Sequence, residues 1–158
     1  MPELPERSRP RRRWPGTGNF GTLLRDPAFA AMDLVNERLA DRGFDDLRPA
    51  HATVGQHIRD TGSRVTELAE LTQLTKPTVT YLVNDLERLG YVERAPDPDD
   101  GRAKLVRLTR RGRRAQQAGR KIVAEIERDW SRALGEDDFQ ALRDLLRRLH
   151  DALWPPAR

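Results

Sequence analysis

The segment from Val65 to Val92 constrains the fold most, because two amphipathic helical patterns follow one another with only a very short break. Thr66 and Thr75 stand where the two helices would begin, and a threonine oxygen can accept a hydrogen bond from the first helical turn. Pro77 falls in the first turn of the second helix, where its missing N–H costs little. Gly90 is suited to end that helix. The segment therefore predicts a helix-turn-helix.

Each of the two helices has an apolar face at helical spacing. The residues expected to point inward are Leu68, Ala69 and Leu71 in the first helix and Val79, Leu82, Val83, Leu86 and Leu89 in the second. Gln73 occupies the turn, where many helix-turn-helix motifs have a glycine. The faces predict that the second helix packs across the first and leaves its other side exposed.

A hairpin is predicted directly after the second helix. Residues 91–95 and 104–108 alternate between polar and apolar types, as half-buried strands do. Residues 96–103, PDPDDGRA, form a turn of Pro, Asp and Gly between them. A helix-turn-helix followed by a two-stranded hairpin is a winged helix.

The hairpin also carries the motif that identifies a family. DGRAKLVRLT, Asp100 to Thr109, matches the Asp-x-Arg, five residues, Leu-Thr signature of the MarR family of winged-helix transcription regulators. Residues 67–94, ELAELTQLTKPTVTYLVNDLERLGYVER, resemble that family's helix-turn-helix, and the likeness covers roughly residues 45–113. The resemblance implies a mainly α fold with a small β-hairpin wing (α+β), in which N- and C-terminal dimerisation helices flank the winged helix-turn-helix domain.

The second helix is predicted to enter the major groove with its N-terminal part against base edges. Lysine meets guanine or phosphate, threonine bonds or touches a thymine methyl, and asparagine pairs with adenine. An ordinary solvated helix face is the alternative, which the attached wing disfavours. The residues expected to contact DNA are Thr66, Thr75, Lys76, Thr78, Thr80, Tyr81, Asn84, Arg94, Asp100, Arg102 and Lys104.

The tip of the wing is the better-defined part of that set. The resemblance implies that Arg102 enters the minor groove and that Asp100 orients it. From Arg102 to Ala124 there is no acidic residue, so the cations at the start of this stretch predict a track for DNA phosphates. They are Arg102, Lys104, Arg107, Arg110, Arg111, Arg113 and Arg114.

Further helices are predicted on both sides of the winged helix. The first has Asp26 as its cap and Pro27 in its first position, and it stops near Gly43. A short helix near Pro49 carries the apolar residues Val54 and Ile58. A long helix runs from a cap at Thr109 to about residue 134, with one apolar side formed by Ala115, Ala118, Ile122, Ile126, Trp130 and Ala133.

The last helix has apolar residues at alternating spacings of three and four, which is typical of a packing seam. They are Phe139, Leu142, Leu146, Leu149 and Leu153. Packing within the same chain would also explain such a seam, but the resemblance implies a homodimer. The expected organisation is an arginine-rich arm over residues 1–19, an N-terminal dimerisation helix over 20–45, the winged helix-turn-helix over 46–110 and C-terminal dimerisation helices over 111–154.

Residues 1–19 contain four prolines and five arginines, a composition that predicts a flexible arm. Either a solubilising tail or a cationic arm lying along nucleic acid fits that composition.

The chain has 158 residues and a net charge of only +4, so the placement of its charges matters more than their sum. It has no apolar run of the length that crosses a bilayer and no apolar signal segment, and a cytoplasmic protein is expected.

Catalysis and metal binding have little support in the sequence. There is no cysteine, which excludes disulfides and thiolate zinc sites. A metal site built from His51, His57 and a carboxylate is an alternative, but a helical histidine is more often structural, so no metal, cofactor or enzymatic activity is expected.

The expected function is that of a sequence-specific regulator of transcription, more often a repressor in this family, which binds a near-palindromic operator as a homodimer. By family analogy, a small aromatic or amphipathic effector would bind among residues 29–57 and the start of the long helix. The alternative is an architectural or constitutive DNA-binding protein with no small-molecule input.

Overall fold

The computed structural model describes residues 4–9 and 18–155, apart from the side chain of Arg102. The described chain is mainly helical with one small antiparallel sheet, which confirms the expected fold class. A 3-10 turn, Glu6–Ser8, precedes the helices. The helices are α1 (Phe20–Ala40), α2 (Pro49–Gly55), α3 (Val65–Thr72), α4 (Lys76–Arg88), α5 (Arg110–Leu134) and α6 (Glu136–Leu153), and the strands are β1 (Val92–Asp97) and β2 (Asp100–Leu108).

The chain divides into two compact units. Val35–Ile122 forms one, and Met1–Leu34 with Val123–Arg158 forms the other. The first, here called the reading unit, contains the end of α1, α2–α4, the hairpin and the first half of α5. The second, here called the helical unit, contains most of α1, the second half of α5 and α6.

The core of the reading unit follows the predicted apolar faces. Leu68 of α3 and Val79, Leu82, Val83 and Leu86 of α4 are buried, together with Val54 and Ile58. The expectation for Leu71 was wrong, because its side chain is 54% exposed. The helical period is about 100° per residue, so Leu71 lies at the edge of the face that Leu68 centres, and α3 buries only the middle of that face.

The turn between α3 and α4 forms without glycine. Gln73 adopts left-handed backbone angles, φ 55° and ψ 26°, as the residue that ends α3. It is the one residue other than glycine with positive φ within residues 4–9 and 18–155. Its side-chain amide donates to the Glu70 carbonyl oxygen at 2.8 Å, which offsets part of the cost of that conformation.

The caps of the two helices differ in how far they match the sequence-based expectation. Thr75 caps α4 as predicted, accepting a hydrogen bond from the Thr78 backbone N–H at 3.3 Å. Thr66 does not cap α3, which begins at Val65 with Arg64 as its cap residue. There the Glu67 carboxylate accepts the Arg64 backbone N–H at 3.0 Å, so an acidic residue in the first turn takes the role assigned to a threonine.

The predicted start of α1 was wrong. The helix begins at Phe20, more than a turn earlier, and Pro27 lies inside it. Asn19 provides the cap, because its side-chain oxygen accepts the Thr22 backbone N–H at 3.0 Å. Pro27 removes one backbone hydrogen bond from the helix without ending it.

The hairpin extends further than predicted. Pairing runs from Val92 opposite Leu108 to Pro96 opposite Lys104, and Asp97 then pairs with Asp100. Residues 96, 97 and 100–103 therefore belong to strands and not to a long turn, and residues 101–103 form a bulge on β2. Ser63 adds an isolated antiparallel bridge to Val106, a third short segment beside β2.

The helical unit contains most of the exposed apolar surface. The start of α5, which belongs to the reading unit, is capped by Thr109 as predicted, since Thr109 accepts the Gly112 backbone N–H at 3.1 Å. On α6, which has no buried residue in this chain, Leu142, Leu145, Leu146, Leu149 and Leu153 are all exposed. Among the described residues no helix is long and apolar enough to span a membrane.

Part of the predicted arm is packed in this unit. Ser8 is buried and its hydroxyl donates to the Asp129 carboxylate of α5, while Arg7 pairs with the same carboxylate at 3.4 Å. Arg9 donates to the Leu4 carbonyl oxygen at 2.9 Å, and the arm's other arginines, within residues 10–17, lie outside the described residues.

Candidate nucleic-acid interface

The N-terminal half of α4 presents a polar surface to solvent. Lys76, Thr78, Tyr81 and Asn84 are exposed, with Tyr81 exposed by 62%. Thr80 is half-buried, and its hydroxyl donates to the Lys76 carbonyl oxygen at 2.8 Å, so its methyl group is the part left to meet a partner. Most of the predicted contact residues of α4 thus lie together on the open side of the helix that packs on α3.

Arg94 of β1 links the wing to α4. Its guanidinium bonds the Glu87 carboxylate at 3.1 Å and the Asn84 side-chain oxygen at 2.7 Å. Asn84 therefore keeps its amide N–H groups for another acceptor, while its oxygen holds the wing. Arg94 is half-buried, and this positioning role was missed because residues ten apart in the chain share no periodic pattern.

Asp97, and not Asp100, fixes the base of the wing tip. Its buried carboxylate accepts the Asp99 backbone N–H at 3.0 Å and the Arg64 side chain at 2.7 Å. These two donors lower the pKa of the Asp97 carboxyl. Because Arg64 precedes α3, the pair ties the hairpin to the helix-turn-helix.

The two tip residues of the expected set, Asp100 and Arg102, follow Asp97 in the chain. Asp100 is exposed, with a carboxylate oxygen 3.9 Å from the Arg64 guanidinium. Arg102 lies in the bulge of β2, and its side chain lies outside the described part of the structure. Lys104 is exposed beyond the bulge. The pairing of Asp100 with Arg102 therefore stays a prediction.

A buried acid joins α2 to α4. Asp85 accepts hydrogen bonds from Arg88 at 2.6 Å and from His51 at 2.9 Å, and it also pairs with Arg48. The bond from Arg88 leads in lowering the pKa of the Asp85 carboxyl to about 2, with His51 and Arg48 adding to it and burial opposing. Two permanent cations around one carboxylate leave this end of α4 with net positive charge.

His51 has a structural role that accounts for its burial. Its Nδ1 accepts the Arg48 backbone N–H at 3.1 Å, so the ring proton lies on Nε2 and points to Asp85. His57 contacts the exposed Gln56 side chain at 3.3 Å. In the described part of the chain, no three acidic or histidine side chains are grouped as metal ligands.

The arginines at the start of α5 divide into two groups. Arg111 pairs with Asp46 at 2.9 Å and lies 4.4 Å above the Tyr91 ring, and Arg113 donates to the Leu108 carbonyl oxygen at 2.7 Å. All four of these arginines, Arg110 and Arg114 included, are exposed, so the internal bonds of Arg111 and Arg113 are what divides them. Burial and the bond to Asp46 raise the pKa of the Tyr91 hydroxyl, which stays protonated as a donor. The predicted phosphate track therefore includes residues with internal structural roles.

Comparisons with known proteins agree with this arrangement. A sequence model described as MarR family matches residues 46–103. The transcriptional regulator Tm0710 of Thermotoga maritima is 30% identical, with 85% of this chain and 93% of that chain covered and a TM-score of 0.59. The reduced form of MarR from E. coli is 25% identical over 85% of this chain and 98% of that chain, with a TM-score of 0.73.

One further structure extends the likeness of fold. CouR from Rhodococcus jostii RHA1 is 24% identical, with 90% of this chain and 96% of that chain covered and a TM-score of 0.70. Comparison with curated proteins gives no significant match.

Proposed function

Because this chain belongs to the MarR family of winged-helix transcription regulators, we propose that it binds a specific double-stranded DNA operator as a homodimer and represses transcription until an effector binds. The observation that carries the proposal is the brace between Arg94, Glu87 and Asn84, which holds the wing against the exposed face of α4. A reading helix and a wing fixed to each other can meet adjacent grooves of one DNA duplex together.

Each exposed side chain of α4 has a role in this proposal. Lys76 meets a guanine edge or a phosphate, and the Thr75 and Thr78 hydroxyls, 2.8 Å apart, offer a paired donor and acceptor near the helix N-terminus. Tyr81, exposed at the next turn, packs on sugar or base edges. Asn84 donates from its amide, because its oxygen is engaged by Arg94.

The wing, the positive N-terminus of α4 and the start of α3 supply contacts beyond the base edges that α4 reads. Arg102 enters the minor groove, Lys104 meets phosphate, and Thr66 lies exposed in the first turn of α3, where it reaches the backbone. Asp100 shapes the tip, and its negative charge repels DNA phosphates on the side of the wing where it lies.

The homodimer is supported by the exposed apolar surface of the helical unit. Contiguous apolar surface on a monomer marks a protein interface or another binding surface, and α6 has five exposed leucines on one helix. A two-fold dimer places two copies of α4 about 34–36 Å apart, so each meets a half-site of a near-palindrome. In this dimer, the helices of residues 20–45 and 111–154 form the interface between the two chains.

Control by a small molecule is supported by a ligand-bound structure of a protein with a similar fold. The structure of CouR was determined with p-coumaroyl-CoA bound, so in that protein this fold holds an organic ligand. An effector releases the operator only when it binds the released conformation more tightly than the DNA-bound one. In this role the chain performs no catalytic step and uses no cofactor, and it acts in the cytoplasm, where it meets DNA.

Footprinting on fragments of genomic DNA tests the proposal against an architectural protein, which the arginine-rich arm also suits. A regulator protects one or a few discrete, nearly palindromic sites near promoters, and its affinity for them exceeds its non-specific affinity by a factor of about 10³ or more. Uniform coverage of the fragments at one affinity would contradict the regulator and favour the architectural alternative.

A further inference from the structure

Arg48 lies between α2 and α4 and is held from the α4 side. It is the cap residue of α2, and its guanidinium pairs with the Asp85 carboxylate of α4. That carboxylate also accepts hydrogen bonds from His51 at 2.9 Å and from Arg88 at 2.6 Å, so it is a fixed anchor. The Arg48 side chain is nevertheless 58% exposed, so the anchor does not enclose it and a further acceptor can reach it.

Tyr81 is such an acceptor. It precedes Asp85 by four residues, and residues four apart are neighbours on one face of a helix, so a guanidinium that rests on Asp85 is within reach of the Tyr81 side chain. Asp85 leads in raising the pKa of the Arg48 guanidinium, and a hydrogen bond to Tyr81 adds to it. Arg48 therefore connects a buried carboxylate to an exposed phenol on α4.

This contact fixes the direction of hydrogen bonding at Tyr81. An arginine has five N–H donors and no acceptor, so the Tyr81 oxygen accepts from Arg48. The phenolic O–H is then the polar group that Tyr81 can turn toward DNA, and it donates. A tyrosine that is not held in this way can present either its oxygen or its hydrogen to a base.

The direction matters because the four bases differ in what they offer in the major groove. Guanine presents two acceptors, adenine and thymine present one each, and cytosine presents only a donor. We infer that Arg48 is a positioning residue that holds Tyr81 as a hydrogen-bond donor, so that Tyr81 rejects cytosine at one position of each half-site. The inference rests on the proposed sequence-specific regulator and adds a rule for one base of its operator.

Nuclear magnetic resonance of the full-length chain without DNA tests the contact itself. The chain has two tyrosines, so the Cζ resonance of Tyr81 can be followed with Tyr91 as the internal reference. Arg48→Met removes every donor of the side chain and should shift the Tyr81 resonance. Arg88→Gln removes another cation from the same Asp85 carboxylate and should leave it in place. An unshifted Tyr81 resonance in Arg48→Met would overturn the inference.

Binding to operators that differ at one base tests the rule. Comparison of the motifs that the wild-type chain and Tyr81→Phe select from a random pool locates the base that Tyr81 contacts. Cytosine there should bind the wild-type chain about tenfold more weakly than guanine, near the lower end of the usual effect of one mismatched base pair, since a single hydrogen bond is lost. The ratio should fall to about two in Tyr81→Phe, which has no hydroxyl to donate.

Arg48 variants separate positioning from a direct contact with DNA. Arg48→Met frees the Tyr81 oxygen to accept from cytosine, so the ratio of guanine to cytosine affinity should fall as it does in Tyr81→Phe. Arg48→Lys keeps a cationic donor and should retain most of the ratio, and Arg88→Gln should retain all of it. If Arg48→Met weakens binding equally for all four bases, Arg48 contacts phosphate and the inference is overturned.

The same measurements distinguish failure of this inference from failure of the proposed function. A motif that the wild-type chain selects, with a ratio that Arg48→Met leaves unchanged, would overturn the inference and leave the sequence-specific regulator standing. A pool in which the wild-type chain enriches no motif would contradict the proposed function, and the rule for the base read by Tyr81 would fail with it.

Discussion

At the scale of single residues, Gly112 shows how closely α5 approaches the hairpin. A Cβ atom at this position would lie 2.0 Å from the Tyr91 carbonyl oxygen, and that oxygen is fixed because it accepts the Thr109 backbone N–H at 3.0 Å. Gly119, two turns later on the same helix, has no atom within 4 Å of the corresponding Cβ position. The close approach to Tyr91 therefore requires glycine at position 112, whereas position 119 has room for a larger side chain.

Alanine at these two glycines should change stability in opposite directions. Gly112→Ala should lower the free energy of unfolding by about 1–3 kcal/mol, because the backbone must shift to admit the methyl group. Gly119→Ala should raise it by about 0.5–1 kcal/mol, because alanine loses less backbone entropy in a helix. Urea unfolding at one protein concentration measures both. Equal effects of the two substitutions would show that α5 does not approach Tyr91 this closely.

Arg102 provides the second test at this scale. Arg102→Ala should weaken operator binding, reduce preference at the flanks of the site and lower the slope of log affinity against log salt by about 1, since one cation leaves the DNA. Arg128→Ala, at an exposed arginine of the helical unit, is the matched control and should change neither. An unchanged salt slope for Arg102→Ala, with normal circular dichroism, would remove the wing tip from the account.

Some of these residue-scale features depend on neighbouring residues in the sequence, and others depend on contacts between distant parts of the chain. Thr75, Thr109 and Gly90 were predicted in their roles because capping depends on a few neighbouring residues. The Arg64–Asp97 pair was not, because its partners are 33 residues apart and their contact exists only once the hairpin has folded back. Gly112 likewise approaches Tyr91 only once the chain has folded back, and no local sequence pattern indicates that contact.

At the scale of elements, charged contacts join the helices and the hairpin of the reading unit around its apolar core. Asp85 joins α2 to α4, Asp97 joins the hairpin to the start of α3, and Arg94 joins β1 to α4. The order and type of the elements were predictable from periodicity, whereas these joints were not. The start of α1 was mispredicted because a strong local preference, proline in a first helical turn, was taken as exclusive.

The joint at Asp85 predicts a pH dependence. The pKa of this carboxyl is lowered to about 2 in the folded chain, so its charged form is favoured by folding. Its contribution to stability is complete above about pH 4, the ordinary range of an unfolded aspartate, and is lost as pH falls toward 2.

Asp85→Asn isolates that contribution. The variant should be less stable than the wild-type chain at neutral pH, and the difference should shrink between about pH 4 and pH 2, because the wild-type carboxyl is then protonated. Thermal unfolding across that range, with Asp137→Asn at an exposed position of α6 as control, checks it. A difference that stays constant with pH would mean that the Asp85 charge does not hold α2 to α4.

At the scale of the whole molecule, the distribution of apolar surface separates the two units. The reading unit buries most of its large apolar side chains, with Leu71 and Tyr81 as exposed exceptions on α3 and α4. In the helical unit, exposed apolar residues occur on α1, α5 and α6. A seam of leucines on α6 was predictable from spacing, but its exposure was not, because one sequence cannot distinguish an internal seam from an intermolecular one.

Leu146→Glu tests whether that surface joins two chains. A charge in the seam should produce monomers and weaken operator binding, since two half-sites are then no longer bound together. Leu71→Glu makes the same change at an exposed leucine of α3 and should leave the dimer intact. Sedimentation velocity decides the outcome. A Leu146→Glu chain that sediments as a dimer would place the interface on other residues.

Selection of bound DNA from a random pool reports sequence preference and dimeric assembly in one measurement. A dimeric regulator should enrich a nearly palindromic motif whose two half-sites lie about one helical turn, 10–10.5 base pairs, apart. Pools selected with Arg102→Ala should keep the core of each half-site and lose the flanks. A selection that enriches no motif, or only a single half-site at every protein concentration, would contradict a dimeric, sequence-specific regulator.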